Sequence, residues 1–511
     1  MKRNGKQQQI RSNQAKKVID QILTQDNISL INHRRTDGFI RVQYDDGVDI
    51  MPISGSSIFV QQIAWTHFET SLSDATVKQI HQTLNANAIF GRDASELNSR
   101  VAHHDGSIWY DLGRSVVRIS SNGWEIVTDP PNIFKRYSQG KRQVIPQLGG
   151  NYWDLHNFFF ITPEQRLLFA CWVLASFIPG IPHPALVLHG SQGAAKSSTM
   201  KVLLKLIDPS QNEDAQTDDE NQLLLNASHR HVLPLDNLSM VSPRMSDLLC
   251  KIITGSGRVR RKLFSDEDEV INQLQNVVIM NGINIPASRP DLLDRCTTIN
   301  LQRIPSELRL DEKTLRERFD RQLPFILGDC FTLVSKAMAL YPEIQLTKLF
   351  RLADFTKWGA AFAQALGHSK EEFMAAYQQN QNDLTEESLL ASPLGRAIKY
   401  YMGDHEVLEG TPTSILIKLN GVAYEAGVNP RDLPENAYSF GRQFNSVQTN
   451  LEQCGMHVEF KRSRERIYRI SNSSKAGVRN VETSVVQQTL PLNSDDCDVS
   501  DMLPEENGGP S

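Results

Sequence analysis

The sequence has no run of 18 or more apolar residues, so we expect no membrane span. Its basic N-terminus lacks the apolar segment of a secretory signal. Six cysteines are scattered along 511 residues without a C-x-x-C pair, which argues against a disulfide scaffold and a thiolate zinc site. No internal repeat is visible. These absences favour a cytoplasmic protein, and the length predicts about three domains.

Positive and negative charges also balance over most of the chain. The net charge of −5 arises in residues 471–511, which hold two basic and seven acidic residues, whereas residues 1–470 hold 52 of each sign. This acidic tail is polar and predicts disorder. Residues 1–17 carry six cations and no anion, which is typical either of a solvated end or of an arm on nucleic-acid phosphates.

Residues 18–145 have the pattern of an α+β domain. Short strands are predicted at 39–44, 107–113, 116–120 and 124–127, and Ser121-Asn122-Gly123 predicts a hairpin between the last two. His103-His104-Asp105 has no partner ligands at a fixed spacing, so a polar loop is favoured over a metal site. Residues 146–160, with Gly149-Gly150 and large aromatics, suggest a linker.

A phosphate-binding loop follows the apolar strand predicted at 185–189 and precedes a helix predicted at 198–207. Its residues are Gly190, Ser191, Gln192, Gly193, Ala194, Ala195, Lys196, Ser197 and Ser198. Backbone N–H groups of small residues can wrap the phosphates of ATP, while Lys196 neutralises them and the Ser197 hydroxyl holds Mg²⁺. Ala195 stands where this pattern usually has glycine, so we expect an ordinary backbone, with negative φ, at this position.

Two further apolar strands end in polar residues that suit ATP hydrolysis. Asp236, 40 residues beyond Lys196, ends the first and would hold Mg²⁺. Asn237 stands where many such ATPases have a glutamate, and an amide can orient water but is not a strong base. Asn281 ends the strand predicted at 276–280 and would position the attacking water.

Two arginines six residues apart lie downstream, at 289 and 295. Arg295 is the candidate arginine finger, a guanidinium that stabilises transition-state charge in a neighbouring subunit's site. A surface ion pair is the alternative. Arg351 is a weaker candidate for a second arginine facing the nucleotide.

The ordered segments GSQGAAKSS, VLPLDN, ITGSGRVRRKLF, VVIMNGIN and RPDLLDR resemble those of superfamily-three-type helicases of the AAA+ class, especially primase-helicase-like proteins of plasmids, phages and mobile elements. The resemblance covers residues 160–305 and implies a P-loop NTPase core at 146–305, followed by a helical lid at 306–395. It also implies the roles named above for Lys196, Ser197, Asp236, Asn281 and Arg295. The acid missing at Asn237 is a departure that bears on turnover more than on binding.

A basic segment precedes the strand that ends in Asn281, and in the resembled families a β-hairpin at this place follows DNA through the ring channel. Its candidate contacts are Arg258, Arg260, Arg261 and Lys262. Alternation along a strand places residues 258, 260 and 262 on one face, which suits contact with phosphates. The alternative is an intersubunit ion-pair strip with the acidic residues 266–269.

Residues 396–470 predict a winged-helix domain. One helix is expected at 414–426 and a second is capped by Ser439, with Arg442 on its polar face. Lys461, Arg462 and Arg464 form a basic tip between two strands. Such a domain binds either duplex DNA or a protein partner.

The sequence therefore predicts an α/β P-loop NTPase core of the AAA+ class with an α+β N-terminal domain and a C-terminal winged-helix domain. We expect a ring, as a hexamer, that uses ATP and Mg²⁺ to move on DNA during replication of a mobile element, with single-stranded DNA in the channel and duplex at the winged helix. The alternative is a DNA-binding ATPase switch that does not unwind DNA.

Overall fold

The computed structural model describes residues 2–131, 133–215, 219–255, 258–261, 269–272, 274–282, 289–462 and 466–472. The predicted acidic tail lies outside these residues, except for its first two positions. The first helix, α1 (Lys2–Thr24), continues past the expected arm boundary at residue 17. Ala15, Val18 and Ile22 on this helix are buried, so its second half belongs to the N-terminal core rather than to a separate arm.

The first N-terminal sheet has the order β3-β2-β1-β4 and packs against α1 and two further helices. Its elements are β1 (Ile28–His33), β2 (Asp37–Tyr44), β3 (Gly47–Pro52), α2 (Ser57–Phe68), α3 (Asp74–Gly91) and β4 (Ala94–Ser95). The α+β pattern expected here is present in this part of the structure.

A second, antiparallel sheet follows in chain order: β5 (Val101–His104), β6 (Ser107–Asp111), β7 (Val116–Ser120) and β8 (Gly123–Val127). The predicted hairpin at residues 121–123 joins β7 to β8. This sheet shares a hydrophobic core with the central domain, and the Tyr110 hydroxyl donates to the Ile207 carbonyl at 3.0 Å. The boundary expected at residue 145 therefore does not separate two cores.

Residues 146–160 are packed against the protein and do not form a free linker. The Gln147 N–H donates to the Pro324 carbonyl at 2.9 Å, and a Cβ at Gly150 would lie 2.1 Å from the Phe325 carbonyl oxygen. A 3-10 segment, Tyr152–Phe158, then buries the side chains of Tyr152, Leu155 and Phe158. The aromatics that suggested a linker thus contribute to the core.

The central domain is built on a parallel sheet. Its elements are α4 (Pro163–Ala175), β9 (Ala185–His189), α5 (Lys196–Ile207), α6 (Glu220–Ser228), β10 (Val232–Leu235), α7 (Pro243–Thr254), β11 (Arg258–Arg261), β12 (Glu269–Asn272), β13 (Val277–Asn281), α8 (Pro290–Leu293) and β14 (Cys296–Asn300). The parallel strands have the order β10-β13-β9-β14, and β11 pairs with β12 as a separate hairpin. The sheet strands are almost fully buried, as apolar parallel strands require.

Three helices follow: α9 (Glu312–Leu340), α10 (Ala353–Ala365) and α11 (Lys370–Ala391). By length and composition alone, the helix Glu312–Glu343 would pass as a membrane span, and 56% of its apolar 18-residue window is buried inside the protein. Phe319, Leu327 and Phe331 of α9 pack in the same core as the central sheet. This apolar helix is therefore accounted for by packing within the protein.

The C-terminal domain has its own hydrophobic core. Its elements are α12 (Pro393–Asp404), β15 (Val407–Gly410), α13 (Pro412–Val422), α14 (Ala437–Gln453), β16 (Met456–Arg462) and β17 (Arg466–Asn472), with strand order β15-β17-β16. The helix expected at 414–426 begins and ends earlier. The N-cap of α14 is Asn436, and Ser439 is its capping-box partner rather than the cap itself.

Candidate nucleotide and DNA sites

The predicted phosphate loop joins β9 to α5 at the carboxyl edge of the sheet. Gly190 and Gly193 have φ of 146° and 84°, which favour glycine. A Cβ at Gly190 would also lie 2.3 Å from the Leu301 carbonyl oxygen. Ser191, Gln192 and Gly193 are exposed, whereas Ala194 is buried.

Ala195 adopts a left-handed conformation, with φ 56° and ψ 34°, immediately before α5. The expectation of an ordinary backbone at this position was wrong. The loop reverses into the helix at this residue, and the conformation costs an L-residue about 1–2 kcal/mol. The Ala195 carbonyl accepts from the Thr199 N–H at 2.9 Å and from the Thr199 hydroxyl at 3.0 Å, so the first turn of α5 holds the strained residue.

Lys196, Ser197 and Ser198 are the first three residues of α5. The Lys196 ammonium lies over the loop and donates to the carbonyls of Gly190 and Ser191 at 2.8 and 3.1 Å. Partial burial lowers the pKa of Lys196. The Ser197 hydroxyl donates to Asp236 Oδ1 at 2.9 Å, which brings the two predicted magnesium ligands together. A hydroxyl and a carboxylate are oxygen donors of the kind that Mg²⁺ prefers.

The backbone after β10 is held by Asn281, the residue predicted to position the attacking water. Asn281 is 1% exposed, and its side-chain oxygen accepts the Asn237 backbone N–H at 2.6 Å. Its amide nitrogen lies 3.9 Å from the Met200 sulfur. Asn237 has φ 55°, which asparagine tolerates, and its side chain is exposed. Asn281 therefore fixes the backbone that carries Asp236 and Asn237.

A second carboxylate lies at this site that sequence reasoning missed. Asp214 Oδ1 accepts the backbone N–H of Asp236 at 3.2 Å, and the neighbouring Ala215 N–H donates to the Pro234 carbonyl at 2.9 Å. The acidic run at residues 213–220 indicated that a further carboxylate could lie near this site. Nothing in its composition, however, singled out the member that approaches β10.

Arg295 lies at the opposite edge of the sheet from the phosphate loop. Its carbonyl accepts from Ala185, the first residue of β9, whereas the loop follows His189, the last. A five-residue strand spans roughly 13 Å at about 3.3 Å per residue. Arg295 therefore cannot act on the phosphate loop of its own chain.

Asp291 orients Arg295 and a second arginine. Asp291 Oδ1 accepts from Arg295 Nη1 at 2.7 Å and from Arg351 Nη2 at 2.5 Å, and Arg351 also bonds Asp294 at 3.0 Å. The hydrogen bond from Arg295 is the largest cause that lowers the pKa of Asp291 to about 2. Arg351 thus joins Arg295 in one cluster and does not face the nucleotide loop of its own chain.

The predicted basic hairpin forms as β11 and β12. They pair antiparallel with Arg258 opposite Asn272, Arg260 opposite Val270 and Arg261 opposite Glu269. Lys262 and most of the acidic segment that follows lie outside the described residues. The hairpin stem leaves α7 at Gly255 and returns before β13.

The C-terminal domain leaves one face of α14 open. Arg442, Asn445 and Thr449 are exposed, whereas Asn450 on the other face is buried and donates to the Ser388 hydroxyl at 2.9 Å. Lys461 in β16 is exposed. Arg464 lies outside the described residues, as does the side chain of Arg462. Within the described parts of the chain, no group of three or more His, Cys, Asp or Glu side chains could hold a metal, and His103-His104-Asp105 ends a strand in a turn.

No curated protein matches the chain. Among solved structures, "SCCmec type IV Cch - active helicase" aligns with a TM-score of 0.44 and 12% identity over 88% of this chain and 94% of that chain. "The A form apo structure of NrS-1 C terminal region-CTR(305-718)" aligns with a TM-score of 0.40 and 13% identity over 89% and 98%.

Two family matches cover consecutive parts of the chain. The family described as "Actinomycete integrative conjugative element replication protein" matches residues 153–387. The family described as "AICE RepA C-terminal domain" matches residues 394–485. Over residues 153–387 and 394–485, the chain is thus similar to the replication proteins of actinomycete integrative conjugative elements.

Proposed function

We propose that the chain is a cytoplasmic AAA+ ATPase of the superfamily-three helicase type that moves on DNA during replication of a mobile element. The observation that carries this proposal is the 2.9 Å contact between Ser197 and Asp236 at the mouth of a glycine-bearing loop. The loop supplies N–H groups for the phosphates of ATP, and Lys196 supplies the positive charge. Mg²⁺, when bound, would neutralise phosphate charge between Ser197 and Asp236.

Asn281, Asn237 and Asp214 would have separate roles in ATP hydrolysis. Asn281 holds the Asn237 N–H, and this contact sets where the Asn237 side chain stands beside Asp236. Asn237 orients water without taking its proton, because an amide is not a base. Asp214 is the nearby carboxylate that can accept that proton, since its oxygen already lies against the Asp236 backbone.

The position of Arg295 supports assembly into a ring, which we propose to be a hexamer. Its edge of the sheet is opposite the phosphate loop, so its guanidinium would reach the γ-phosphate bound to a neighbouring subunit. Asp291 holds both Arg295 and Arg351 in place, which reduces the entropy lost when an arginine meets the phosphate.

Two elements supply DNA contacts in this proposal. The hairpin β11–β12 carries three arginines and would follow the backbone of a single strand in the channel. The order α12-β15-α13-α14-β16-β17 supports a winged helix, in which α14 would be the recognition helix and the β16–β17 turn the wing. The similarity to element replication proteins supports a DNA substrate.

The test is strand displacement on forked DNA with and without ATP. We expect unwinding by the wild type and none by Lys196→Ala, which also loses ATP turnover. Charge reversal of Arg258, Arg260 and Arg261 to Glu should abolish unwinding and DNA-stimulated turnover while basal turnover remains. Normal turnover in Lys196→Ala would contradict the assigned site, and normal unwinding in the triple variant would contradict the channel hairpin.

A second candidate is a DNA-binding ATPase switch that assembles on DNA without unwinding it. Asn237 favours this function, because a site without a glutamate at this position suits slow turnover. ATP-dependent DNA binding together with absent strand displacement would select the switch.

A further inference from the structure

A cavity of about 1050 Å³ separates the first N-terminal sheet from the central domain. One wall is the β1–β2 turn, and another is the segment between α6 and β10. Its floor includes Gly255 and Gln275, which flank the hairpin β11–β12 on either side. The cavity therefore lies beside the base of the proposed DNA-following hairpin.

Four cations line this cavity (Arg34, Arg100, Lys135 and Arg230), and two of them lack a carboxylate partner among the ion pairs of the described residues. Arg100 pairs with Asp208. Arg34 pairs with Glu96. Lys135 is instead within 3.3 Å of the His33 ring nitrogen. Arg230 is 5% exposed and donates to two neutral oxygens, of Gln139 and Asn212, at 3.1 and 3.3 Å.

The buried guanidinium of Arg230 is incompletely satisfied. Its Nε has no hydrogen-bond partner, although the atom is buried. A buried charge of this kind is costly unless an opposite charge approaches it. Burial lowers the pKa of Arg230, although the negative charges of Asp208 and Asp214 oppose this effect. An anion in the cavity would supply the missing charge.

The surrounding groups respond to the same excess of positive charge. Burial and then Arg34 lower the pKa of Lys135 to about 8, against weaker opposing effects of Asp37 and Glu96. Burial followed by Lys135 lowers the pKa of His33 and of His229 to about 4, so both rings are neutral near pH 7. Additional protons are disfavoured here, and negative charge is favoured.

An aromatic pair adjoins the cations. The Tyr137 and His229 rings stack with centroids 3.8 Å apart at 26°, and both residues are half-buried. The Lys135 ammonium lies 5.9 Å from the Tyr137 ring centroid. Cations beside flat rings are the combination that binds single-stranded nucleic acid, because phosphates meet the charges and bases meet the rings.

We propose that this cavity binds one nucleotide unit of a single DNA strand, with the phosphate near Lys135 and Arg230 and the base beside Tyr137 and His229. The inference deepens the proposed function, since the strand would reach the cavity from the hairpin. A free nucleotide shares this chemistry, and the experiment below separates the two sources.

The test uses the full chain and a fluorescent dT20 oligonucleotide, with affinity measured by anisotropy at several salt concentrations. Lys135→Met should weaken binding roughly tenfold, as expected for one lost charged contact, and should reduce the salt slope by about 0.7. Lys135→Arg should retain both. The matched control is Lys78→Gln, an exposed lysine of α3 outside the cavity, which should leave the slope unchanged.

Cross-linking locates the contact directly. An oligonucleotide that carries 5-iodouracil should cross-link to Tyr137, identified by mass spectrometry, and the cross-link should fall in Lys135→Met. Equal affinity of Lys135→Met and Lys78→Gln for dT20 would overturn the inference, and so would a cross-link only at residues other than Tyr137. So would Lys135-dependent binding of dTMP with dT20 binding unaffected, which would mark a free-nucleotide site.

The inference and the proposed function fail in different readouts. Basal ATP turnover without DNA depends on the phosphate loop, and we expect it to be unchanged in Lys135→Met. If Lys135→Met also lost basal turnover, its thermal unfolding midpoint would be compared with that of the wild type. An equal midpoint would mean that Lys135 acts in ATP turnover, which would contradict a strand-binding role for the cavity. If the wild type unwinds DNA and Lys135→Met unwinds it equally well, the inference is contradicted and the proposed function is not.

Discussion

A buried ion pair links the second N-terminal sheet to the proposed ATP site, and its removal is our principal prediction. Arg100 and Asp208 have side chains 4% and 8% exposed, with Nε to Oδ1 at 2.8 Å. Asp208 ends α5, and its other oxygen accepts the N–H groups of His231 and Val232 at 2.8 and 3.1 Å, at the start of β10. One carboxylate thus joins three elements, including the strand that carries Asp236.

Asp208→Asn keeps the shape and removes the charge, which leaves the Arg100 guanidinium buried with carbonyl acceptors only. Loss of one partner of a buried pair costs about 3–5 kcal/mol. For a cooperative unit of roughly 150–250 residues, each kcal/mol lowers the midpoint by about 2–4 °C, so we expect a fall of roughly 6–20 °C in thermal unfolding. Differential scanning calorimetry of the full chain measures it.

The matched control is Glu125→Gln, which breaks the exposed Arg118–Glu125 pair at 3.4 Å, with side chains 45% and 64% exposed. An exposed pair contributes about 1 kcal/mol or less, so its midpoint should move by a few degrees at most. Equal shifts of the midpoint in Asp208→Asn and Glu125→Gln would show that the buried pair does not hold these elements together.

Ala195→Gly should relieve the strain of the left-handed conformation, but glycine loses more backbone entropy on folding, so we expect the free energy of unfolding to stay within about 1 kcal/mol of wild type. ATP affinity, measured by titration with a fluorescent nucleotide, should be no weaker than wild type, and a tenfold weaker affinity would contradict this expectation. Asp214→Asn should reduce ATP turnover by roughly tenfold or more while affinity is kept, and unchanged turnover would remove its role as base. Asn237→Glu should bind ATP and change turnover. Arg295→Ala and Lys196→Ala should each be inactive, yet their mixture should regain turnover if the arginine acts between subunits; a mixture that stays inactive would refute that arrangement.

The phosphate loop could be predicted because its chemistry is local. A strand, a run of small residues, a lysine, a serine and a helix follow one another within 23 residues, and the structure places them in that order. The same holds for the 121–123 hairpin and for α14, whose apolar stripe of Phe440, Phe444, Val447 and Leu451 is buried. The backbone of Ala195 was mispredicted, because residue preference was weighed without the turn that the helix start demands.

Apolar periodicity and spacing by themselves determined where the parallel strands, the phosphate loop and the C-terminal core would form. Contacts between residues far apart in the chain were decided only by the tertiary structure. Arg100 meets Asp208, Asp214 meets Asp236, and Lys135 meets His33, because strand order and domain packing bring together segments that no local pattern relates. Charge balance along the chain conceals such sites, since a cation's partner is a neighbour in space and not in sequence.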